Sequence, residues 1–223
     1  MQVDFTTVKL GRQTVKAFVA TLGYSRASYV YFYDNERNES WIDGLRRSFE
    51  FFGAVPREVL FDNAKSIVIE RDAYGEGEHR WHPNLLDAAK TFGFVPKLCR
   101  PYRAKTKGKV ERFNQYLKRN FIVPLRATYR EVGLELDLAT VNAAIGKWLV
   151  GTANVRTHDT TKAVPAERLL EELPHMMPLP VMSSAQVEQP AVSLLMTPPP
   201  IESLQHPLSL YDTLLGVSYE LTV

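Results

Sequence analysis

The sequence predicts an α/β fold in which a mixed five-stranded sheet is flanked by helices on both faces. Three observations support it. The first third of the chain has short β-rich runs separated by turns, the hydrophobic period then changes from strand to helix, and apolar strands and helices alternate afterwards. The resulting order is β-β-β-α-β-α-β-α followed by further helices, which is typical of a sheet covered on both sides. At 223 residues the chain is long enough for one well-buried domain and an appendage.

The first three strands are predicted to form an antiparallel meander. Residues 3–8, 14–22 and 27–33 are rich in β-branched and aromatic residues, and Gly11 and residues 23–25 supply the turns between them. Helical spacing then begins, with Ile42, Leu45 and Phe49 on one face. Ser40 suits the start of this helix, and Gly53 its end.

Two more strands and several helices follow in alternation. The strands are predicted at residues 59–61 and 95–98, and a polar excursion at 71–79 lies between them. Helices are predicted at 84–92, 107–121, 138–149 and 165–173. Eight prolines fall between Pro174 and Pro207. We therefore expect a folded domain over residues 1–175 and a proline-rich linker and tail over 176–223.

The charge is unevenly distributed and indicates a polyanionic partner. Nine Lys or Arg residues and a single acid lie between Lys97 and Arg119, which gives this stretch a charge of +8 within a chain of net charge +2. A single cysteine, Cys99, excludes an internal disulfide framework. The apolar runs are too short to cross a bilayer. These features lead us to expect a cytoplasmic protein without a membrane partner.

Three carboxylates are candidates for a metal site. Asp4 lies between two apolar strand residues, Asp62 follows the short strand 59–61, and Glu111 is the only acid of the basic stretch. A charge on a buried strand is costly unless it has a metal or cationic partner, and sites in α/β sheets gather at the carboxyl ends of strands. Taken singly, each acid also has a structural interpretation, as an edge-strand charge, a turn residue and a helix-surface ion pair.

The order and context of these acids resemble a known family. The segments Gln2-Val3-Asp4-Phe5, Phe61-Asp62-Asn63 and Lys107-Gly108-Lys109-Val110-Glu111-Arg112-Phe113 are similar to the D, D, E series of the integrase core superfamily. The string from Cys99 to Arg112 and the motif Asn154-x-Arg156-x-His158 bring the sequence nearest to the IstA-type DDE transposases of insertion sequences.

This resemblance implies a ribonuclease H-like integrase catalytic core over residues 1–175. It implies a DNA transposase that cleaves transposon ends and transfers the 3′-hydroxyl to target DNA. Asp4, Asp62 and Glu111 would be both the catalytic residues and the ligands of two Mg²⁺ or Mn²⁺ ions. Such a core would assemble as a homo-oligomer on DNA, work with an AAA+ ATPase helper and associate with the bacterial nucleoid. The residues expected to contact DNA are Arg100, Arg103, Lys105, Lys107, Lys109, Arg112 and Lys118, with Asn63, Asn114 and His158 as further candidates for the site.

Other functions stay open at the level of sequence. The same basic stretch and acids suit a non-enzymatic nucleic-acid-binding domain, an inactive transposon-derived domain, or a ribonuclease H-like nuclease that hydrolyses without strand transfer. IstA-type transposases normally carry helix-turn-helix segments before the core and a small β-barrel after it. Since the sequence begins at the first catalytic strand, we expect a truncated or rearranged copy.

Overall fold

A five-stranded mixed sheet lies at the centre of the computed structural model, which describes residues 1–99 and 108–180. The strands of this part of the chain are β1 (Gln2–Lys9), β2 (Thr14–Thr21), β3 (Ser28–Tyr33), β4 (Ala54–Val55), β5 (Glu58–Phe61), β6 (Val68–Gly75), β7 (Glu78–Trp81), β8 (Val95–Leu98) and β9 (Met177–Pro178). The central sheet has the order β3-β2-β1-β5-β8. The first three strands pair antiparallel and β1, β5 and β8 pair parallel, so the predicted meander is confirmed.

Helices pack on both faces of this sheet. They are α1 (Asn38–Phe52), α2 (Pro83–Phe92), α3 (Gly108–Leu117), α4 (Val123–Glu131), α5 (Leu138–Trp148) and α6 (Pro165–Glu172). The first helix starts two residues before the expected cap. Ser40 lies inside α1, where its hydroxyl donates to Asn35 Oδ1 at 3.0 Å. The predicted end of the helix is right, because Gly53 follows it with a φ of 74°.

Each face of the sheet has its own apolar core, because strand side chains alternate between the faces. On one face, Val3 and Phe18 pack with Leu45 and Phe49 of α1. On the other face, Val19 and its neighbours pack against α3 and α5 through the buried residues Val110, Leu117, Val141 and Ile145. This second layer brings α3 onto β1, which positions the candidate site.

The outer edge of β3 is covered by two asparagine side chains. Asn154 accepts from the backbone N–H of Ser28 at 2.9 Å and donates to the Ser28 carbonyl at 3.0 Å. Asn142, on α5, makes the same pair of bonds with Phe32, both at 2.9 Å. An exposed strand edge would otherwise leave these peptide groups unpaired and open to another chain. The two side chains therefore tie the last helices to the sheet.

The helical path that begins at α3 is longer than expected. We expected a helix over residues 107–121, but a π-helical turn at Lys118–Ile122 joins α3 directly to α4, and the path continues to Glu131. Pro124 explains the irregularity. It has no N–H to donate to the preceding turn, so the regular ladder of hydrogen bonds is interrupted just before it.

Two smaller two-stranded sheets complete the described chain. The polar excursion at residues 71–79 is part of a hairpin of β6 and β7, with Gly75 at the end of β6 and Gly77 in the turn, both at positive φ. Strand β9 pairs with β4, so regular structure continues past residue 175, and the compact unit extends from Met1 to Pro180. Within residues 1–99 and 108–180, no helix has the length and apolar character needed to cross a membrane.

Candidate active site

Asp4 lies in the middle of β1, on the face that packs against α3. Its neighbours Val3 and Phe5 point to the opposite core, next to α1. The Asp4 carboxylate is half-buried and accepts a hydrogen bond from Asn114 Nδ2 at 2.9 Å. A hydrogen bond to a charged acceptor is stronger than one between neutral groups, so this contact fixes the carboxylate against the helix.

Asp62 follows the end of β5, the strand parallel to β1. The two strands are in register with Gln2 beside Leu60, and the Leu60 N–H donates to the Met1 carbonyl at 2.9 Å. Asp4 lies two residues after Gln2, and Asp62 lies two residues after Leu60, so the two aspartates reach the same level of the sheet. Asp62 is exposed and accepts from the Asn63 backbone N–H at 2.7 Å. Asp4 and Asp62 thus lie at the same level of adjacent parallel strands, and Asp62 is at the carboxyl end of its strand, where sites in such sheets form.

Glu111 is in the first turn of α3, next to the residues that tie this helix to β1. The Val110 N–H donates to Gln2 Oε1 at 3.4 Å, and Asn114 donates to Asp4 one helical turn later. Glu111 lies between these two contacts in the sequence and is exposed. At three residues' spacing, Glu111 and Asn114 occupy neighbouring positions on the same side of the helix. Glu111 is therefore about one helical turn from the residue that contacts Asp4.

The chemistry of this region suits a hard divalent cation. Carboxylate oxygens are the ligands that Mg²⁺ and Mn²⁺ prefer. Asn114 Oδ1 is buried and has no hydrogen-bond partner among the described residues, so an oxygen acceptor is left over beside Asp4. Within residues 1–99 and 108–180, no three His, Cys, Asp or Glu side chains are grouped closely enough to hold a metal ion. The assignment of the three carboxylates as ligands stays a prediction.

The expected DNA-contacting residues divide into two groups. Arg100, Arg103, Lys105 and Lys107 lie outside the described residues. Lys109 and Arg112 line a cavity on α3, and Lys118 begins the π-helical turn and is half-buried. Of the further candidates, Asn63 is exposed beside Asp62, Asn114 contacts Asp4, and His158 lines the same cavity as Lys109.

Sequence reasoning missed two residues of this region. In the sequence, Gln2 stands out only as part of a motif, although it is buried and anchors the start of α3 through its side-chain amide. Arg26 does not stand out, because it lies in a turn far in sequence from the basic stretch. Its one signal in the sequence is a lone cation in a turn between two apolar strands. The structure places it at the cavity that Lys109 and Arg112 line.

Comparisons of sequence find similar proteins among transposases. The family model described as "Integrase core domain" matches residues 1–104. A protein of Geobacillus stearothermophilus described as a transposase for insertion sequence element IS5376 is 38% identical over 81% of this chain and 43% of its own length. The transposase for IS21 of Pseudomonas aeruginosa is 35% identical over 76% of this chain and 41% of its own length. The chain thus spans less than half of these two relatives.

Comparisons of structure give the fold. The catalytic core of HTLV-2 integrase, solved in complex with magnesium as a trimeric form, matches with a TM-score of 0.55 and 16% identity over 74% of this chain and 92% of its own. A simian T-cell lymphotropic virus intasome chain matches with a TM-score of 0.55 and 19% identity over 82% of this chain and 57% of its own. The expected ribonuclease H-like fold is confirmed.

The fold is that of the catalytic cores of retroviral integrases, and residues 1–104 match the integrase core domain. In sequence, the chain is similar to transposases of insertion sequences, those of IS5376 and IS21 among them.

Proposed function

We propose that this chain carries out metal-dependent cleavage at transposon ends and transfer of the freed 3′-hydroxyl into target DNA. Asp4, Asp62 and Glu111 hold two Mg²⁺ or Mn²⁺ ions in this reaction. The observation that supports it best is the register of β1 and β5, which brings Asp4 level with Asp62, together with the hydrogen bond from Asn114 that joins α3 to Asp4. The magnesium present in the HTLV-2 integrase core structure supports the choice of cation.

Asp4, Asp62, Asn114 and Glu111 have different roles in the proposed reaction. Divalent ions, when bound, activate the attacking hydroxyl and neutralise charge on the leaving oxygen. Asp4 and Asp62 supply fixed carboxylates from adjacent strands, which are rigid supports for a site. Asn114 keeps the Asp4 carboxylate oriented through its 2.9 Å hydrogen bond. Glu111 enters from the helix and is exposed, so it can move toward the strands without disturbing the core.

The partners of the site follow from the same proposal. DNA is the substrate, and the basic stretch between Lys97 and Arg119 supplies contacts to its phosphates that weaken with salt. The intasome and the trimeric integrase among the structural matches support assembly into an oligomer on DNA. A working partnership with an AAA+ ATPase and association with the nucleoid belong to the proposal as well, and they rest on the resemblance of the sequence motifs to IstA-type transposases.

A strand-transfer assay with pre-cleaved DNA ends tests this function. The labelled ends, a target plasmid and Mg²⁺ or Mn²⁺ are incubated with the wild type, Asp4→Asn, Asp62→Asn, Glu111→Gln and a control, Asp87→Asn, which changes an exposed acid of α2. Since bound metals supply several kcal/mol of transition-state stabilisation, each site variant should lose roughly 10²–10³-fold in rate. The control should keep the wild-type rate.

The failures of this assay are informative. Hydrolysis of DNA without joined products would make the chain a ribonuclease H-like nuclease. Binding of DNA without any metal-dependent product would make it a non-enzymatic or inactive domain. Wild-type rates in all three site variants would show that these carboxylates take no part in the mechanism.

A further inference from the structure

A cationic cavity lies on the flank of α3 opposite Glu111. Its volume is about 270 Å³. Four basic side chains line it, and they come from three separate parts of the chain: the β2–β3 turn, α3 and the segment after α5. They are Arg26, Lys109, Arg112 and Arg156. At about 100° per residue, Lys109 and Glu111 are roughly 160° apart around the helix axis. The cavity is therefore a site distinct from the three carboxylates.

The cavity has more positive charge than its surroundings neutralise. None of the four basic side chains has a carboxylate within ion-pair distance among the described residues. The lining also includes the imidazole of His158 and one acid, Asp159. Arg26 Nη1 and Arg156 Nε are buried without a hydrogen-bond partner there. Unpaired buried donors on charged groups are costly, and an anion in the cavity would satisfy them.

Burial and mutual repulsion both act on these cations. Burial lowers the pKa of Arg26 below its ordinary value, and Arg168 and Arg112 lower it further, while Glu172 opposes them. Burial likewise lowers the pKa of Lys109, with Arg26 as the next cause. Both groups are thus held in places that disfavour their positive charge until a negative group arrives.

The backbone around Arg26 is held in a conformation that directs this side chain. Arg26 has a φ of 68°, a left-handed value that residues other than glycine rarely adopt. The turn is fixed from α6, where Glu172 accepts from the Ser25 N–H at 2.8 Å and Glu171 accepts from the Tyr24 hydroxyl at 2.6 Å. Strained backbone of this kind clusters at binding sites.

Contacts with neighbouring residues also hold Arg156 and Arg112 in place at the cavity. Its guanidinium lies 3.5 Å from the centre of the Tyr116 ring, so the aromatic face supports the cation without neutralising it. Two residues earlier, Asn154 fixes the segment to β3 through its paired bonds with Ser28. On the helix side, Arg112 Nη1 donates to Thr160 Oγ1 at 3.4 Å.

We propose that this cavity binds one phosphate group of a DNA backbone, away from the reacting bond. The inference that the phosphate belongs to DNA rests on the proposed function. The inference that the cavity binds a phosphate rests on the residues of the cavity alone. Several guanidinium and ammonium groups around a small space suit the tetrahedral phosphate oxygens, because arginine donates to them in pairs. The site adds an anchor that contacts DNA at a second point, and it contributes affinity without sequence information.

Binding of a labelled DNA duplex, followed by fluorescence anisotropy over a range of salt concentrations, tests this site. The proteins compared are the wild type, Arg26→Gln, Arg112→Gln and the control Arg12→Gln, whose side chain is exposed and pairs with Glu135. Arg112 is exposed, so its variant keeps the test valid if Arg26→Gln fails to fold. Each cavity variant should bind about tenfold more weakly. The slope of log K against log salt should fall by about 0.9, the value for one phosphate.

A second arm separates the two sources of phosphate. Inorganic phosphate should raise the unfolding temperature of the wild type more than chloride does, and this difference should vanish in Arg112→Gln. Stabilisation by phosphate with unchanged DNA affinity in the cavity variants would assign the cavity to a free anion and overturn the proposal. Unchanged slopes and no effect of phosphate would overturn it as well. Loss of strand transfer in the wild type would count against the proposed function alone, since the binding arm measures no catalysis.

Discussion

Removal of the Asn154 side chain should loosen the edge of the sheet. In Asn154→Ala, the Ser28 N–H and carbonyl lose partners at 2.9 and 3.0 Å, in a place where Ser28 is fully buried and Asn154 is 6% exposed. Water has little access to replace these bonds. Asn142→Ala is the matched comparison, since Asn142 makes the same two bonds to Phe32 but is only half-buried.

The magnitude follows from the number of hydrogen bonds and their burial. A net hydrogen bond contributes about 0.5–1.5 kcal/mol, and a buried group left unpaired costs about 1–3 kcal/mol, so Asn154→Ala should lower the free energy of unfolding by about 2–4 kcal/mol. At roughly 2–4 °C per kcal/mol for a domain of this size, the melting temperature should fall by roughly 5–15 °C. Asn142→Ala should cost about 1–2 kcal/mol, because water can partly replace its bonds.

Urea unfolding followed by circular dichroism measures both variants and their combination. Ser28 and Phe32 are four residues apart on β3, about 13 Å at strand spacing. The two effects should therefore add to within about 0.5 kcal/mol. A loss below about 0.5 kcal/mol in Asn154→Ala, the usual range of an exposed surface change, would refute the role given to this side chain.

Three further predictions follow from the structure. Gly44→Ala places a Cβ 2.6 Å from the Phe18 ring and should lower the free energy of unfolding in urea by about 1–3 kcal/mol. Gly146→Ala is the control, since its Cβ meets nothing within 4 Å and it should not destabilise the protein. Equal effects of the two variants would contradict the close contact of Gly44 with Phe18. Asn114→Ala should cut strand transfer about 10–100-fold and raise the Mn²⁺ concentration needed for half-maximal rate; an unchanged metal requirement would limit Asn114 to a structural role. Burial, then neighbouring arginines, lowers the pKa of His158 below its ordinary 6.5, so the free energy of unfolding should be highest above that pH and fall as the pH drops below it. In His158→Gln, the urea concentration at the unfolding midpoint should change less between pH 7.5 and 5.5 than in the wild type. An equally steep dependence on pH in both proteins would contradict this.

Much of the fold could be predicted because local patterns and tertiary packing agree. The alternation in β3 and the helical spacing of Leu45 and Phe49 each match a face that the structure buries. The sequence predicts an end at residue 121 for the helix that begins at 107, which is too early. The continuation of this helix past Phe121 depends on a π-helical turn before Pro124, and the hydrophobic period does not indicate such a turn.

The carboxylates could be nominated from sequence, but their supports could not. Asp4 and Asp62 have signals of their own, an acid on an apolar strand and an acid at a strand end. Asn114 acquires meaning only when α3 lies on β1, and Arg26 only when the β2–β3 turn reaches α3. Contacts between residues about a hundred positions apart depend on the register and packing of the sheet, which local patterns do not encode.

The central claim is that Asp4, Asp62 and Glu111 share bound metal. A crystal of the protein soaked in Mn²⁺ and measured at a wavelength that gives anomalous signal tests it directly. We predict an anomalous peak with oxygens of both Asp4 and Asp62 about 2.1 Å away, with Glu111 turned toward it, and no such peak in Asp62→Asn. A peak that touches neither aspartate, or one that persists in Asp62→Asn, would contradict the claim.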